Sequence, residues 1–434
     1  MKKYLNFLFW CILIFCVIFL GNSAVLAKTK ISLWNGFPEM LPVYNKVATD
    51  YQEAHPEVEV EILGFSIRDL ENKIAASIPT DTGPDIIESY VDYMIRFIEA
   101  GLLPPNPQDV DAMFKGGSYS EFVVNHLTYR ENTYGIPLFR GRGVLYWNKK
   151  MFAEEGLTRA PRNWDEVIDY AKKLARYDAD GNLIRSGISL RLSGGGMGIA
   201  QKWWWWLYPA GGTILDKYPD GKYRAGYDNK AGQEALKFYI DVVHKYHVDD
   251  QNIKHDADAF GLELTAMFNR ESWVVGHMQQ YAPHVEFDTA HCPAYDGQRN
   301  GTIEVLFNAY VTRSCKNPEV AWDFVKFMLQ PKYQKYLFET AGWLPARDDI
   351  DYSDIYGKIP QYRTFLEVPE GFKFYTNDAI GCIDEIMTRL SAKLEDAFFD
   401  KSLVDNPEGI ARVISEAAQE TNDILKENDL YHEE

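Results

Sequence analysis

Cysteine is scarce in this chain. Only five occur in 434 residues, and two of them, Cys11 and Cys16, sit in an apolar leader. The other three, Cys292, Cys315 and Cys382, cannot build a disulfide framework; they are either one pair with a spare thiol or three separate thiols. No Cys/His group has zinc-ligand spacing, so no metal and no other cofactor is expected. Positive charge is short as well. The 45 Lys and Arg against 63 Asp and Glu leave a net charge of −18, which argues against nucleic acid and anionic membrane surfaces as partners. The sequence also lacks a G-x-S-x-G elbow, an HExxH pair, a P-loop and a G-x-G-x-x-G after a strand. Asp178-Ala179-Asp180-Gly181 lacks the later acids of a calcium loop and reads as a turn. Neither an internal repeat nor a low-complexity linker is present.

The chain is rich in rings. It has 27 Tyr, 24 Phe and 11 Trp, and 46% of its residues are hydrophobic. That suffices for a sizeable core, with aromatics left over for a half-wet binding surface. The length fits two or three domains. Lys2 and Lys3, an apolar run over residues 7–20 and the small residues up to Ala27 read as a secretory signal cleaved after Ala27. The run is short for a membrane span, and Phe15 before Cys16 does not suit a lipoprotein signal. Removing residues 1–27 takes two lysines and no acid, so the exported chain carries 43 − 63 = −20.

Strand and helix patterns alternate along the chain, which implies α/β units with mainly parallel sheets. KISLW (residues 30–34) is a strand, residues 40–54 have helical periodicity, and VEVEIL (residues 58–63) is the next strand. Phe37 and Glu39, just past Trp34, fall at the carboxyl end of the first strand, where ligands collect in open α/β sheets. GPDII (residues 83–87) leads through a strand to Ser89 and Asp92. Residues 134–152, YGIPLFRGRGVLYWNKKMF, form an extended stretch with Gly141 and Gly143 halfway along. It is either one core strand or a segment crossing between two lobes. In SGGGMGIAQKWWWW (residues 193–206), four successive tryptophans cannot share one face of a helix; one or two belong to a core and at least one points elsewhere.

These segments carry a resemblance. GPDII, the YGIP…VLYWNKKMF stretch, EVAWDFVKFML (residues 319–329) and GWLPAR (residues 342–347) resemble family 1 of the bacterial extracellular solute-binding proteins, the mostly sugar-binding receptors of ABC importers. The resemblance covers nearly all of the exported chain. It implies a two-lobe, periplasmic binding protein-like type II fold. The lobes would be residues 28–139 plus 294–345 and residues 140–293 plus 346–434, joined by hinge strands. It also implies an extracytoplasmic monomer that captures a mono- or oligosaccharide between its lobes and delivers it to a membrane permease, without cleaving it. A secreted glycoside hydrolase or a polysaccharide-binding surface protein is the competing reading.

By the same resemblance, the candidate ligand-binding residues are Trp34, Phe37, Glu39, Ser89, Asp92, Arg140, Arg142, Trp203, Trp204, Tyr281 and Trp343. Asp92 matches a sugar-binding carboxylate, and Ser89 replaces an aromatic. Glu271 stands where a glycine is usual. Arg140 and Arg142 flank Gly141, which occupies a position that is acidic in receptors of neutral maltodextrins. Side chains two apart on a strand share a side. The two arginines therefore either face the ligand, which would then be an acidic sugar, or pair with acids such as Asp92 and Glu88.

Overall fold

The computed structural model describes residues 28–295 and 300–433. The expected signal segment and its cleavage point lie outside the described residues. Two main sheets organise the chain. In the large one, Thr29–Asn35 runs parallel to Val58–Gly64 on one side and to Ile86–Tyr90 on the other. Its Ile31 and Leu33 are buried, as strand alternation requires. The helix between the first two strands, Leu41–Ala54, lays Val43, Tyr44, Val47, Ala48 and Tyr51 on the sheet. It ends at His55, because Pro56 disfavours helical backbone in the residue before it. Asp85 ties two strands together: its carboxylate accepts from the Ser32 amide at 2.8 Å and the Ser32 hydroxyl at 2.9 Å.

The long strand Gly301–Val311 closes the large sheet. It is antiparallel to Ile86–Tyr90 and to Ile136–Arg142, and Leu344–Pro345 pairs beyond that. Near its start it pairs in parallel with Lys373–Tyr375. The second sheet has Val144–Asn148 at its centre, antiparallel to both Met267–Arg270 and Phe287–Ala290. Single bridges from Ser186 and Ser189 extend it in parallel.

The α/β class of the sequence reading holds, but strand direction departs from the mainly parallel expectation. The cause is the connectivity. Parallel neighbours need a crossover that returns the chain to the same end. Here the chain enters Val144–Asn148 straight from the large sheet through Gly143, so that strand's direction is set by the crossing. The chain passes between the sheets at Gly143, again between Ala290 and Gly301, and leaves the large sheet's edge after Pro345.

Helix Gly198–Leu207 packs between helices Lys230–Ile240 and Ile383–Phe398. All four tryptophans of its run are buried, each in its own direction. Trp203 meets Tyr227, Trp204 meets Tyr375, and Trp206 stacks on Phe238 at 4.2 Å. Trp205 lies against Gly143, the crossing residue. Each indole takes roughly 150–250 Å2 out of water, worth about 4–6 kcal/mol before entropy. That gain is why none of the four is left facing solvent. Cys292, Cys315 and Cys382 are free thiols.

Candidate functional site

The two sheets meet at Gly141. A β-carbon there would stand 3.0 Å from the Trp343 ring, 3.3 Å from Glu271 Cγ and 3.6 Å from the Phe307 ring. Three distant segments therefore converge on one face of strand Ile136–Arg142. Phe139, two residues back on the same face, stacks on Phe307 at 4.7 Å. Phe37 closes over both, with centroids 5.7 Å from Phe139, 4.6 Å from Phe307 and 5.4 Å from Trp343. The result is a packed aromatic floor of which Phe37 is the partly exposed member.

Polar groups rim this floor. Trp343 Nε1 donates to Glu39 Oε1 at 3.1 Å. Trp273 stands 6.4 Å from Trp343, with the Arg270 guanidinium 5.3 Å from its ring centroid. Lys202 donates to Glu271 and lies 4.1 Å from the Trp205 ring. Burial opposes ionisation of Glu271, but Lys202 and Arg270 outweigh it and hold the carboxyl down to about 2. Lys202 is nevertheless pushed down to about 8, by burial first and by Arg270 and Arg191 against the pull of Glu271. In both groups burial is the largest influence, and one carboxylate facing more than one cation sets the rest. From the other side, Arg68 bonds Glu71 at 2.5 Å and donates to the Gly195 carbonyl at 3.1 Å. Gly196 has φ +70°, and a β-carbon there would lie 2.0 Å from Arg68 Nη2. The glycine-rich loop is thus a close-approach site for an arginine from the large-sheet side.

Of the expected residues, Phe37, Glu39 and Trp343 come together here. Trp34 is half-buried and packs on Phe65 at 5.5 Å. Ser89 is buried in the sheet opposite Asn308. Asp92 is buried and accepts from Asn377 at 2.7 Å. Asn377, Trp204 and Tyr375 line a separate cavity of about 180 Å3. A larger hollow of about 500 Å3, lined by Trp164, Glu234, Lys237 and Tyr246 among others, contains none of the expected residues.

Four further expected positions also lie away from the floor. Trp203 is fully buried against Tyr227, because its turn of the helix points into the helical layer. Tyr281, at the end of helix Trp273–Tyr281, is 67% exposed and rests on His277. Arg140 and Arg142 do share a side of their strand, but it is the side opposite Gly141's contacts. There Arg140 meets Asp348 at 2.5 Å and Glu304 at 3.5 Å, while Arg142 pairs with Glu304 and donates to the Phe365 carbonyl at 2.9 Å. Their acids are not Asp92 and Glu88. Glu88 is bonded by the Tyr44 hydroxyl instead, and burial pushes its carboxyl up to about 8. Asp92 is raised to about 7, again chiefly by burial.

Sequence reasoning missed Phe139, Phe307, Trp273, Lys202, Arg270, Arg191 and Arg68. One signal for the site was visible: Glu271 in place of a usual glycine. A carboxylate at such a turn needs cations, and Lys202 and Arg270 supply them. Among the described residues, no three His, Cys, Asp or Glu side chains are grouped as a metal site.

Comparison with known proteins places this architecture. The bacterial extracellular solute-binding protein family matches residues 37–335. A putative binding protein of Brucella abortus is 21% identical over 421 residues, covering 94% of this chain and 96% of that protein. The maltotriose-binding protein of Pyrococcus abyssi is 24% identical over 341 residues, covering 76% and 69%. Among solved structures, an ABC transporter solute-binding protein from Thermotoga lettingae bound with α-D-tagatose superimposes with a TM-score of 0.78 at 21% identity, covering 92% of this chain and all of that one. The chain belongs to the bacterial extracellular solute-binding protein family.

Proposed function

We propose that this protein is the extracytoplasmic receptor of an ABC importer, capturing a mono- or oligosaccharide where its two sheets meet and handing it to the membrane permease. In this reading the chain forms two lobes, residues 28–139 plus 294–345 and residues 140–293 plus 346–434, hinged near Gly141–Gly143, and residues 140–142 and Lys373–Tyr375 of the second reach across to pair in the large sheet. The observation that carries it is the convergence of Trp343, Phe307 and Glu271 on Gly141. Pyranose rings have apolar C–H faces and a rim of hydroxyls. Ring faces cover the first, and carboxylates and cations bond the second. Closure of two lobes would bury the ligand and shift an open–closed equilibrium. The named relatives support the sugar class.

Binding occurs without turnover in this reading. A glycosidase needs one protonated and one ionised carboxyl flanking the substrate. Among the carboxyls that burial raises, Glu88, Asp92 and Asp249 are engaged by Tyr44, Asn377 and the Leu190 amide rather than offered to a ligand. Among the described residues, no helix is long and apolar enough to cross a membrane. Calorimetry against a panel of mono- and oligosaccharides, with product analysis on the tightest binder, tests the proposal. Saturable binding with unchanged sugar is the expected result; turnover at an enzymatic rate, or no response to any sugar, overturns it. N-terminal sequencing of the exported protein should begin after Ala27.

A further inference from the structure

One buried cation cluster of this protein is balanced by acids. Arg140 and Arg142 face Glu304 and Asp348, two against two. The rim of the aromatic floor breaks that pattern. Arg191 lies in the field of Arg270 and Arg68 with Glu271 opposing them, and Lys202 lies in the field of Arg270 and Arg191. Against these four cations stand Glu71, bonded to Arg68, and Glu271, bonded to Lys202. The nearby Asp384 is matched by Arg96 at 3.6 Å and does not change the balance. Glu39, bonded by Trp343, is the third acid of this rim, so four cations face three acids and one positive charge is in excess, in a chain whose net charge is −18.

The cations are also incompletely bonded. The Nε groups of Arg191 and Arg270 are buried and have no hydrogen-bond partner among the described residues. Leaving a buried charged donor unmatched is costly, and a bound counter-charge removes the cost. The loop geometry keeps the charges there. A β-carbon at Gly198 would lie 2.6 Å from Arg191 Cζ, and one at Gly196 would lie 2.0 Å from Arg68 Nη2. Two arginines thus pack against one loop. The helix that follows it, Gly198–Leu207, has no acid in its first turn and no side-chain cap, so its positive end adds to the field. Arg270 sits beside Trp273, so a ring stacked on that indole would place a substituent next to a guanidinium fork.

We propose that this site selects an acidic saccharide, whose carboxylate or sulfate is held among Arg68, Arg191, Lys202 and Arg270. The inference rests on the sugar-binding reading above and sharpens it to one charge class. Planar carboxylate suits the arginine fork, and a sulfate offers the same oxyanion edge.

The test compares ligands that differ in charge alone. Uronic-acid oligosaccharides, their methyl esters and sulfated oligosaccharides are titrated into the purified protein at two salt concentrations. The acid form is expected to bind at least about tenfold tighter than its ester, with the gap narrowing at high salt. Arg270→Gln should remove most of that gap. The exposed Arg412→Gln serves as the control and should change nothing. Preference for the sulfated ligand over the uronate keeps the charge class and picks the tetrahedral anion. Ester binding as tight as acid binding overturns the acidic class while the sugar receptor stands. Silence toward every saccharide, charged or neutral, overturns both. The wild-type comparison decides the matter even if the Arg270 variant does not fold.

Discussion

Gly143 lies against the face of Trp205: a β-carbon at position 143 would stand 2.3 Å from Cζ2 of that ring. The contact joins the crossing point between the two sheets to the most buried helix of the molecule, so the hinge is clamped by an indole. Gly143→Ala should force the ring or the strand to shift and cost about 1–3 kcal/mol, as overpacking does. Urea denaturation measures it. Gly141→Ala, whose new carbon would sit 3.0 Å from Trp343, should cost less in stability. An unchanged midpoint for Gly143→Ala would show that Trp205 does not hold the crossing.

Trp273 is half-buried, at the start of its helix, with Arg270 against one side. It packs less deeply than Trp343, which is only 3% exposed. Trp273→Ala is therefore expected to weaken binding of the best saccharide about ten- to a hundredfold, as loss of a central aromatic anchor does, while leaving the thermal midpoint near wild type. Affinity within twofold of wild type would remove Trp273 from the site.

How much of this was legible beforehand depends on range. Phe37 and Glu39 could be placed because the end of a strand in an α/β unit is a local fact of the chain. The shared side of Arg140 and Arg142 also followed from alternation. Which side that was did not, because it is set by pairing with Gly301–Val311, some 160 residues on, and by Glu304 within it. The tryptophan run could be seen to spread around a helix. Its complete burial came from four separate partners, Tyr227, Tyr375, Gly143 and Phe238, that no local pattern announces. Trp273 and Tyr281 begin and end one helix, and only the packing distinguishes them.

Glu304 joins two buried arginines on the side of the strand opposite the floor. Replacing one partner of such a group leaves charge uncompensated, so Glu304→Gln should cost about 3–5 kcal/mol of stability. Because Arg140 and Arg142 do not line the floor, saccharide affinity measured well below the variant's midpoint should stay within about threefold of wild type. A larger loss of affinity in a folded Glu304→Gln protein would return the two arginines to the recognition site.

Glu88 gives the protein a pH signature. Burial raises its carboxyl from 4.5 to about 8 in the folded state. Between those values the native protein holds a proton that the unfolded chain has released, so stability falls as pH rises through that window, by about 1.4 kcal/mol per pH unit where the difference is complete. Asp92, raised by burial from 3.8 to about 7, works in the same direction. His126 and His255, kept neutral by burial, oppose both below about pH 6.5, where the unfolded chain would charge them. Glu271, held down to about 2, contributes stability that is lost only as pH falls below about 4.5. The difference between wild type and Glu88→Gln isolates one group from the rest. Gln keeps a neutral partner for Tyr44 at every pH. The variant should therefore gain on wild type steadily from pH 5 to pH 8, with saccharide affinity at pH 7 unchanged. Thermal midpoints of both proteins across that range are the measurement. Parallel curves would mean that Glu88 is ionised in the folded protein and that burial beneath the Gly36 turn does not keep it protonated.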